Sequence, residues 1–121
     1  MSLCQKDLGC VLIHNPRCSK SRAVLAMLKE RGVAFEVRNY LEQPLAPEEL
    51  ESLKRRLGLP VKEWTRSGEG IFAEEGLGEQ ASEAELMAAI VRHPILLQRP
   101  ILVRGDRAKI GRPPEQVLEL L

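Results

Sequence analysis

Val11-Leu12-Ile13-His14-Asn15-Pro16-Arg17-Cys18-Ser19-Lys20-Ser21-Arg22 is the stretch on which the reading of the fold depends. It opens on consecutive apolar residues, the mark of a strand buried on both faces, and runs into a helical pattern carried by Val24, Met27, Leu28 and Arg31. The chain thus passes from strand to loop to helix, with Cys18 where the helix begins. A thiol there faces backbone N–H groups without intrahelical acceptors and the positive end of the helix dipole. Arg17, Lys20 and Arg22 add cationic charge around it, and His14 is expected to add more. All of these favour thiolate, so the pKa should fall below the ~8.5 of a free cysteine. A lone cysteine in a strand-to-helix turn is usually inert. The three basic residues, with Ser21 at Cys-x-x-Ser spacing, tip the reading toward a nucleophilic sulfur that meets an anion.

Outward from this stretch, the first strand is expected over residues 9–14 and the first helix over 19–31, stopping at Gly32. Val33, Phe35 and Val37 alternate with Ala34, Glu36 and Arg38, which predicts a second strand over 34–39, parallel to the first. The pattern from Pro47 to Arg92 is helical. Pro47 suits a first helical position, Leu50, Leu53 and Leu57 share a face, and Gly58 ends the helix. A short turn carries Trp64, and Ser82-Glu83-Ala84-Glu85 is a capping box ahead of Leu86, Ala89 and Ile90.

Strand character returns at Pro100-Ile101-Leu102-Val103, and Gly105-Asp106 makes a tight hairpin into residues 107–110. Gly111-Arg112-Pro113-Pro114 breaks that strand, and a last helix over 115–121 should turn Val117, Leu118 and Leu121 inward. The sum is an α/β fold of one domain over residues 1–121. It has a mixed four-stranded sheet, with a helical insertion at about 46–93 between the second and third strands.

With 18 basic and 17 acidic residues the 121-residue chain carries a formal net charge of +1, which gives no sign of a nucleic-acid or membrane surface. Residues 1–10 lack the apolar core of a signal peptide and no apolar run approaches membrane-spanning length, so a cytoplasmic protein is expected. Three cysteines, an odd number, suit a reducing compartment. Cys4, Cys10, His14 and Cys18 include no Cys-x-x-Cys pair, and no metal is expected. Cys10 reads as a small core residue and Cys4 as a terminal thiol. Three further arginines stand in loops: Arg66 after Trp64, Arg99 before Pro100, and Arg112 between Gly111 and two prolines. Taken singly, each reads as a solvated side chain. Converging on one thiolate, they would form a pocket for a tetrahedral oxyanion, since each guanidinium presents a planar fork of donors.

From Val11 to Leu121 the chain resembles the glutaredoxin-coupled arsenate reductase (ArsC) family. The resemblance rests on His14 to Arg22, on Tyr40-Leu41-Glu42, and on Arg66. It continues through His93-Pro94-Ile95-Leu96-Leu97-Gln98-Arg99-Pro100-Ile101 and Gly111-Arg112-Pro113-Pro114-Glu115-Gln116-Val117-Leu118. Ile13 stands where family members often carry Tyr, and Ser19-Lys20 where they often carry Gly-Thr. Arg17-Cys18-Ser19-Lys20-Ser21 and the Ile110 to Glu115 ending are similar to an ArsC-related branch.

The resemblance implies a thioredoxin-like fold with a helical insertion and a cis Arg99–Pro100 bond. It also implies a catalytic Cys18 tuned by His14 and Ser21, with Arg66, Arg99 and Arg112 binding the oxyanion. The implied reaction is arsenate to arsenite, with glutathione as co-substrate and glutaredoxin as partner, and with no bound cofactor. Two other readings share the fold. One is a regulator resembling Spx that binds RNA polymerase, although the Cys-x-x-Cys switch of such proteins is Cys18-Ser19-Lys20-Ser21 here. The other is a thiol oxidoreductase acting on glutathione adducts. A phosphatase-like reductase needs Cys-x5-Arg, and Val24 occupies the place of that Arg.

Overall fold

A computed structural model describes residues 10–121; Cys4 and Gly9, the expected start of the first strand, lie outside the described residues. β1 (Cys10–His14) is buried along its whole length, as its unbroken apolar run requires. α1 (Ser19–Glu30) follows and leads into β2 (Phe35–Asn39). Next come α2 (Pro47–Leu57), a 3-10 turn (Val61–Trp64), the short α3 (Gly70–Glu74), α4 (Glu83–Arg92) and a second 3-10 turn (Pro94–Leu96). β3 (Ile101–Arg104), β4 (Arg107–Ile110) and a 3-10 helix (Pro114–Leu120) complete the chain. The sheet order is β2-β1-β3-β4. β1 runs parallel to β2 and antiparallel to β3, and β3 is antiparallel to β4 across the Gly105-Asp106 turn, where Gly105 takes a φ of 59°. The expected mixed sheet, with its helices between the second and third strands, is therefore present.

Each face of the sheet has its own core. Cys10, Leu12 and Leu102 pack against Val24 and Leu28 of α1 and against Val117 and Leu120 of the terminal 3-10 helix. On the other face, Val11, Ile13, Ile101 and Val103 meet Leu50 and Leu53 of α2, Trp64, and Leu86 and Ile90 of α4. The helices between β2 and β3 are thus one of the layers that bury the central strands. At about 1.5–3 kcal/mol for each fully buried large apolar side chain, they contribute much of what holds the sheet. The expected capping box is formed: Glu85 N–H donates to Ser82 Oγ at 3.1 Å, and Ser82 N–H to Glu85 Oε1 at 2.8 Å.

Two local expectations differ from the structure. The alternation in β2 does not mark burial: Val37 is 49% exposed on this edge strand, whereas Arg38 is 6% exposed beneath α2. Arg38 is admitted there because Glu49 of α2 accepts from both Nη1 (2.7 Å) and Nη2 (2.9 Å), and the carbonyls of Gln43 and Pro44 accept from Nε and Nη2. The final segment is a 3-10 helix, so its buried face recurs every three residues at Val117 and Leu120, and Leu121 is left exposed. The five residues of α3 bury no side chain fully, so this helix carries no periodic apolar signal in the sequence.

The Arg99–Pro100 bond is cis as expected, and so is Arg112–Pro113. Gly111 sits between them at a place where a Cβ would come within 2.8 Å of Pro100 Cγ and 2.9 Å of Val24 Cγ2. Its N–H donates to the Pro100 carbonyl at 2.8 Å. Only glycine fits this approach, which sets Arg112 directly against Arg99.

Candidate active site

The loop between β1 and α1 is wound around Asn15. Its side-chain Oδ1 accepts from Arg17 N–H (2.9 Å), its carbonyl accepts from Cys18 N–H (3.0 Å), and its own N–H donates to Ser21 Oγ (3.2 Å). Ser21 is fully buried in the first turn of α1, so its hydroxyl ties the loop to the helix. Cys18 is the residue before the first helical turn, with extended backbone angles (φ −91°, ψ 123°) that leave its sulfur facing the free N–H groups of that turn. Burial pushes the thiol pKa up. The backbone N–H groups of Ser21 and Lys20 and the Arg99 guanidinium outweigh burial and hold it below the ordinary cysteine value. Arg112 Nη2 lies 3.7 Å from Cys18 Sγ.

His14 does not supply the extra positive charge expected of it. It is 5% exposed at the end of β1, and burial, with the nearby Arg22 charge, pushes its pKa down, so the imidazole is neutral at neutral pH. Among the described residues its Nδ1 has no hydrogen-bond partner. Arg17 and Lys20 are exposed, and Arg22 is tied back to the Pro16 carbonyl at 3.0 Å.

The three loop arginines are gathered by a pairing that the sequence does not signal. Thr65 and Leu97 form an isolated antiparallel bridge, flanked by Arg66 N–H to Leu96 O (2.7 Å) and Gln98 N–H to Trp64 O (3.0 Å). This lays the segment after the first 3-10 turn, in the middle of the helical insertion, beside the segment entering β3 and brings Arg66 to Arg99. Gln98 Oε1 accepts from Arg66 Nη1 (2.9 Å) and from Arg99 N–H (3.3 Å). Glu69 accepts from Arg66 Nε at 3.1 Å, and its carboxylate stands 3.9 Å from Arg99 Nη1. Arg112 Nε donates to the Arg99 carbonyl at 2.8 Å. Arg112 and Arg99 therefore address the sulfur directly, while Arg66 joins them through Gln98 and Glu69. The chemistry such an arrangement supports is attack of a thiolate on an anion held by guanidinium groups.

The chain matches the ArsC family over residues 13–120, a span that contains Cys18 and all three arginines. It belongs to the ArsC family. It is 40% identical to the arsenate reductase of Haemophilus influenzae, covering 94% of this chain and 100% of that one. It is 46% identical to the uncharacterized protein YfgD of Escherichia coli, covering 91% and 94% of the two chains. Among solved structures, an arsenate reductase from Vibrio cholerae superposes with a TM-score of 0.88 at 46% identity, covering 93% of this chain and 97% of the other.

Several residues gathered around the thiol and the three arginines carry no sequence signal of their own. Glu69 and Gln98 look like ordinary surface polar residues, and Tyr40 entered only as part of a motif. Tyr40 is nevertheless fully buried, and Arg99, Arg66 and Cys18 all act on its phenol electrostatically. Among the described residues no group of three His, Cys, Asp or Glu is placed to hold a metal ion, and no helix is long and apolar enough to cross a membrane. A cleft of about 650 Å³ opens elsewhere, along Lys62, Thr65, Phe72 and Leu86, and contains neither the thiol nor any of the three arginines.

Proposed function

We propose that this ArsC protein is a cytoplasmic arsenate reductase in which Cys18 is the nucleophile, Arg66, Arg99 and Arg112 bind the oxyanion, and glutathione and glutaredoxin supply the electrons. The single observation that carries the reading is the Arg112 guanidinium 3.7 Å from Cys18 Sγ, on a thiol already biased toward thiolate. The thiolate attacks arsenic, an S–As bond forms, and one oxygen leaves as water after protonation. A glutathione thiolate then attacks Cys18 sulfur. The S–S bond that forms takes the place of S–As, whose electron pair passes to arsenic and reduces it from As(V) to As(III). Glutaredoxin attacks the glutathione sulfur of this mixed disulfide and releases Cys18 as thiolate.

The arginines reduce the repulsion between thiolate and anion and stabilise charge that moves onto oxygen as the S–As bond forms. Ser21 and Asn15 act by fixing the loop, so that the N–H groups of the first turn stay aimed at sulfur. Neutral His14 beneath the loop leaves the local positive charge to the arginines.

Arsenite formation in the presence of glutathione and glutaredoxin tests the proposal. The wild-type chain should turn over and accumulate a Cys18–glutathione disulfide when glutaredoxin is withheld. Cys18→Ser should form neither arsenite nor the disulfide. A wild-type chain that forms no arsenite beside a relative that does, under the same conditions, would return this protein to the class of binding proteins that share its fold.

A further inference from the structure

We infer that the Tyr40 hydroxyl is a hydrogen-bond donor to the oxyanion bound at Cys18, a binding residue beyond the arginines. The inference rests on the oxyanion-site reading above.

Its position follows from the sheet. β1 and β2 run parallel with His14 opposite Asn39, so the next residue, Tyr40, comes level with Asn15, the first residue of the Cys18 loop. The ring is fully buried with Ile13, Trp64 and Leu97, yet its hydroxyl has no hydrogen-bond partner among the described residues. The Asn15 side chain lies beside the phenol, close enough to favour its ionised form but outside hydrogen-bonding geometry.

Arg99 presents the same situation. Its side chain is 12% exposed, and neither Nε nor Nη1 has a hydrogen-bond acceptor. The Glu69 carboxylate at 3.9 Å from Nη1 is too far to serve as one. A buried polar group without a partner is costly, and here a phenol O–H and two guanidinium N–H groups share that condition in the neighbourhood of one thiolate. All three are donors. Their common complement is an acceptor with several oxygens, which a tetrahedral oxyanion supplies and a neutral thiol compound does not.

The phenol also remains a donor across the working range, because burial pushes its pKa up against the pull of the neighbouring arginines. A neutral O–H is useful beside guanidinium groups: it adds direction to the site without further raising its charge.

The test compares Cys18→Ser with Cys18→Ser/Tyr40→Phe, so that no turnover intervenes, and measures thermal unfolding against arsenate concentration. The ring is retained and only the hydroxyl is lost. The phenyl variant should match or exceed its parent in melting temperature without arsenate, since an unpaired buried hydroxyl has been removed. With arsenate it should show a smaller upward shift, corresponding to binding weakened about tenfold. That opposed pair of signs is not produced by a merely structural hydroxyl. Equal arsenate affinity in the two proteins, or a lower ligand-free melting temperature in the phenyl variant, would overturn the assignment of Tyr40 while leaving the arginine site standing. No arsenate-dependent shift in the Cys18→Ser parent would overturn the oxyanion site itself, and the Tyr40 assignment with it.

Discussion

Arg38 and Arg99 are both arginines drawn out of solvent beside the sheet, and they differ in what their guanidinium groups meet. Arg38 donates to both oxygens of Glu49 and to the carbonyls of Gln43 and Pro44. Arg99 leaves Nε and Nη1 without acceptors and turns toward Cys18. Burying a charge costs several kcal/mol even after relaxation, so each arrangement requires compensation. For Arg38 the compensation is internal and complete, and the pair fastens α2 to the edge strand. For Arg99 the chain supplies only part of it, with Glu69 at 3.9 Å. Burial alone therefore does not distinguish the two arginines; the unmet donors of Arg99 do.

Removing the partner of Arg38 should act above all on stability. Glu49→Ala removes the carboxylate that faces the buried Arg38 charge, and should cost about 3–5 kcal/mol in denaturant unfolding while leaving Cys18 alkylation unchanged. The pair also sets an acid limit. Burial pushes the Glu49 pKa up, but Arg38 and the Ala46 N–H outweigh it and hold it below the usual carboxylate value. Its contribution is therefore complete above the unfolded pKa of about 4.3 and is lost as pH falls through the lower folded value. A Glu49→Ala protein should show a flatter loss of stability across that range.

Next in size is Arg99→Ala. It should lower kcat/KM for arsenate by about 1.5–3 kcal/mol, roughly ten- to a hundredfold, with little change in unfolding free energy. Lys at this position should rescue only in part, because an ammonium lacks the planar fork. A variant that lost stability in the manner of Glu49→Ala would place Arg99 in the structural class with Arg38.

The smallest expected effect is on the thiol. Below its pKa Cys18 is protonated and unreactive; above it the thiolate reacts and the rate reaches a plateau. Arg112→Ala removes the charge 3.7 Å from sulfur, so the midpoint of alkylation against pH should move upward and the rate at neutral pH should fall. An unmoved midpoint would restrict Arg112 to holding the Arg99 carbonyl.

Much of this was legible in the residues. Consecutive apolar residues at Val11 to Ile13, the helical pattern after Cys18, the Gly105-Asp106 turn and the Ser82–Glu85 box are local signals with local causes, and each appears where expected. Family resemblance pointed to the three arginines. Contacts made at long range were not legible. Strand alternation cannot tell that α2 covers Arg38 and leaves Val37 bare, because that depends on an element about ten residues further on. The neutrality of His14 depends on burial at the strand end, and the roles of Glu69 and Gln98 depend on the Thr65–Leu97 bridge. Gly111 read as a strand breaker, whereas its hydrogen-sized side chain is what admits Pro100 and Val24.

The unmet donors of Arg99 beside Cys18 are proposed to form an oxyanion site. Calorimetric titration of arsenate into Cys18→Ser, with and without Arg99→Ala, tests it most directly. The single variant should show a saturable site, weakened roughly ten- to a hundredfold in the double variant. Equal arsenate affinity in the two proteins would contradict it.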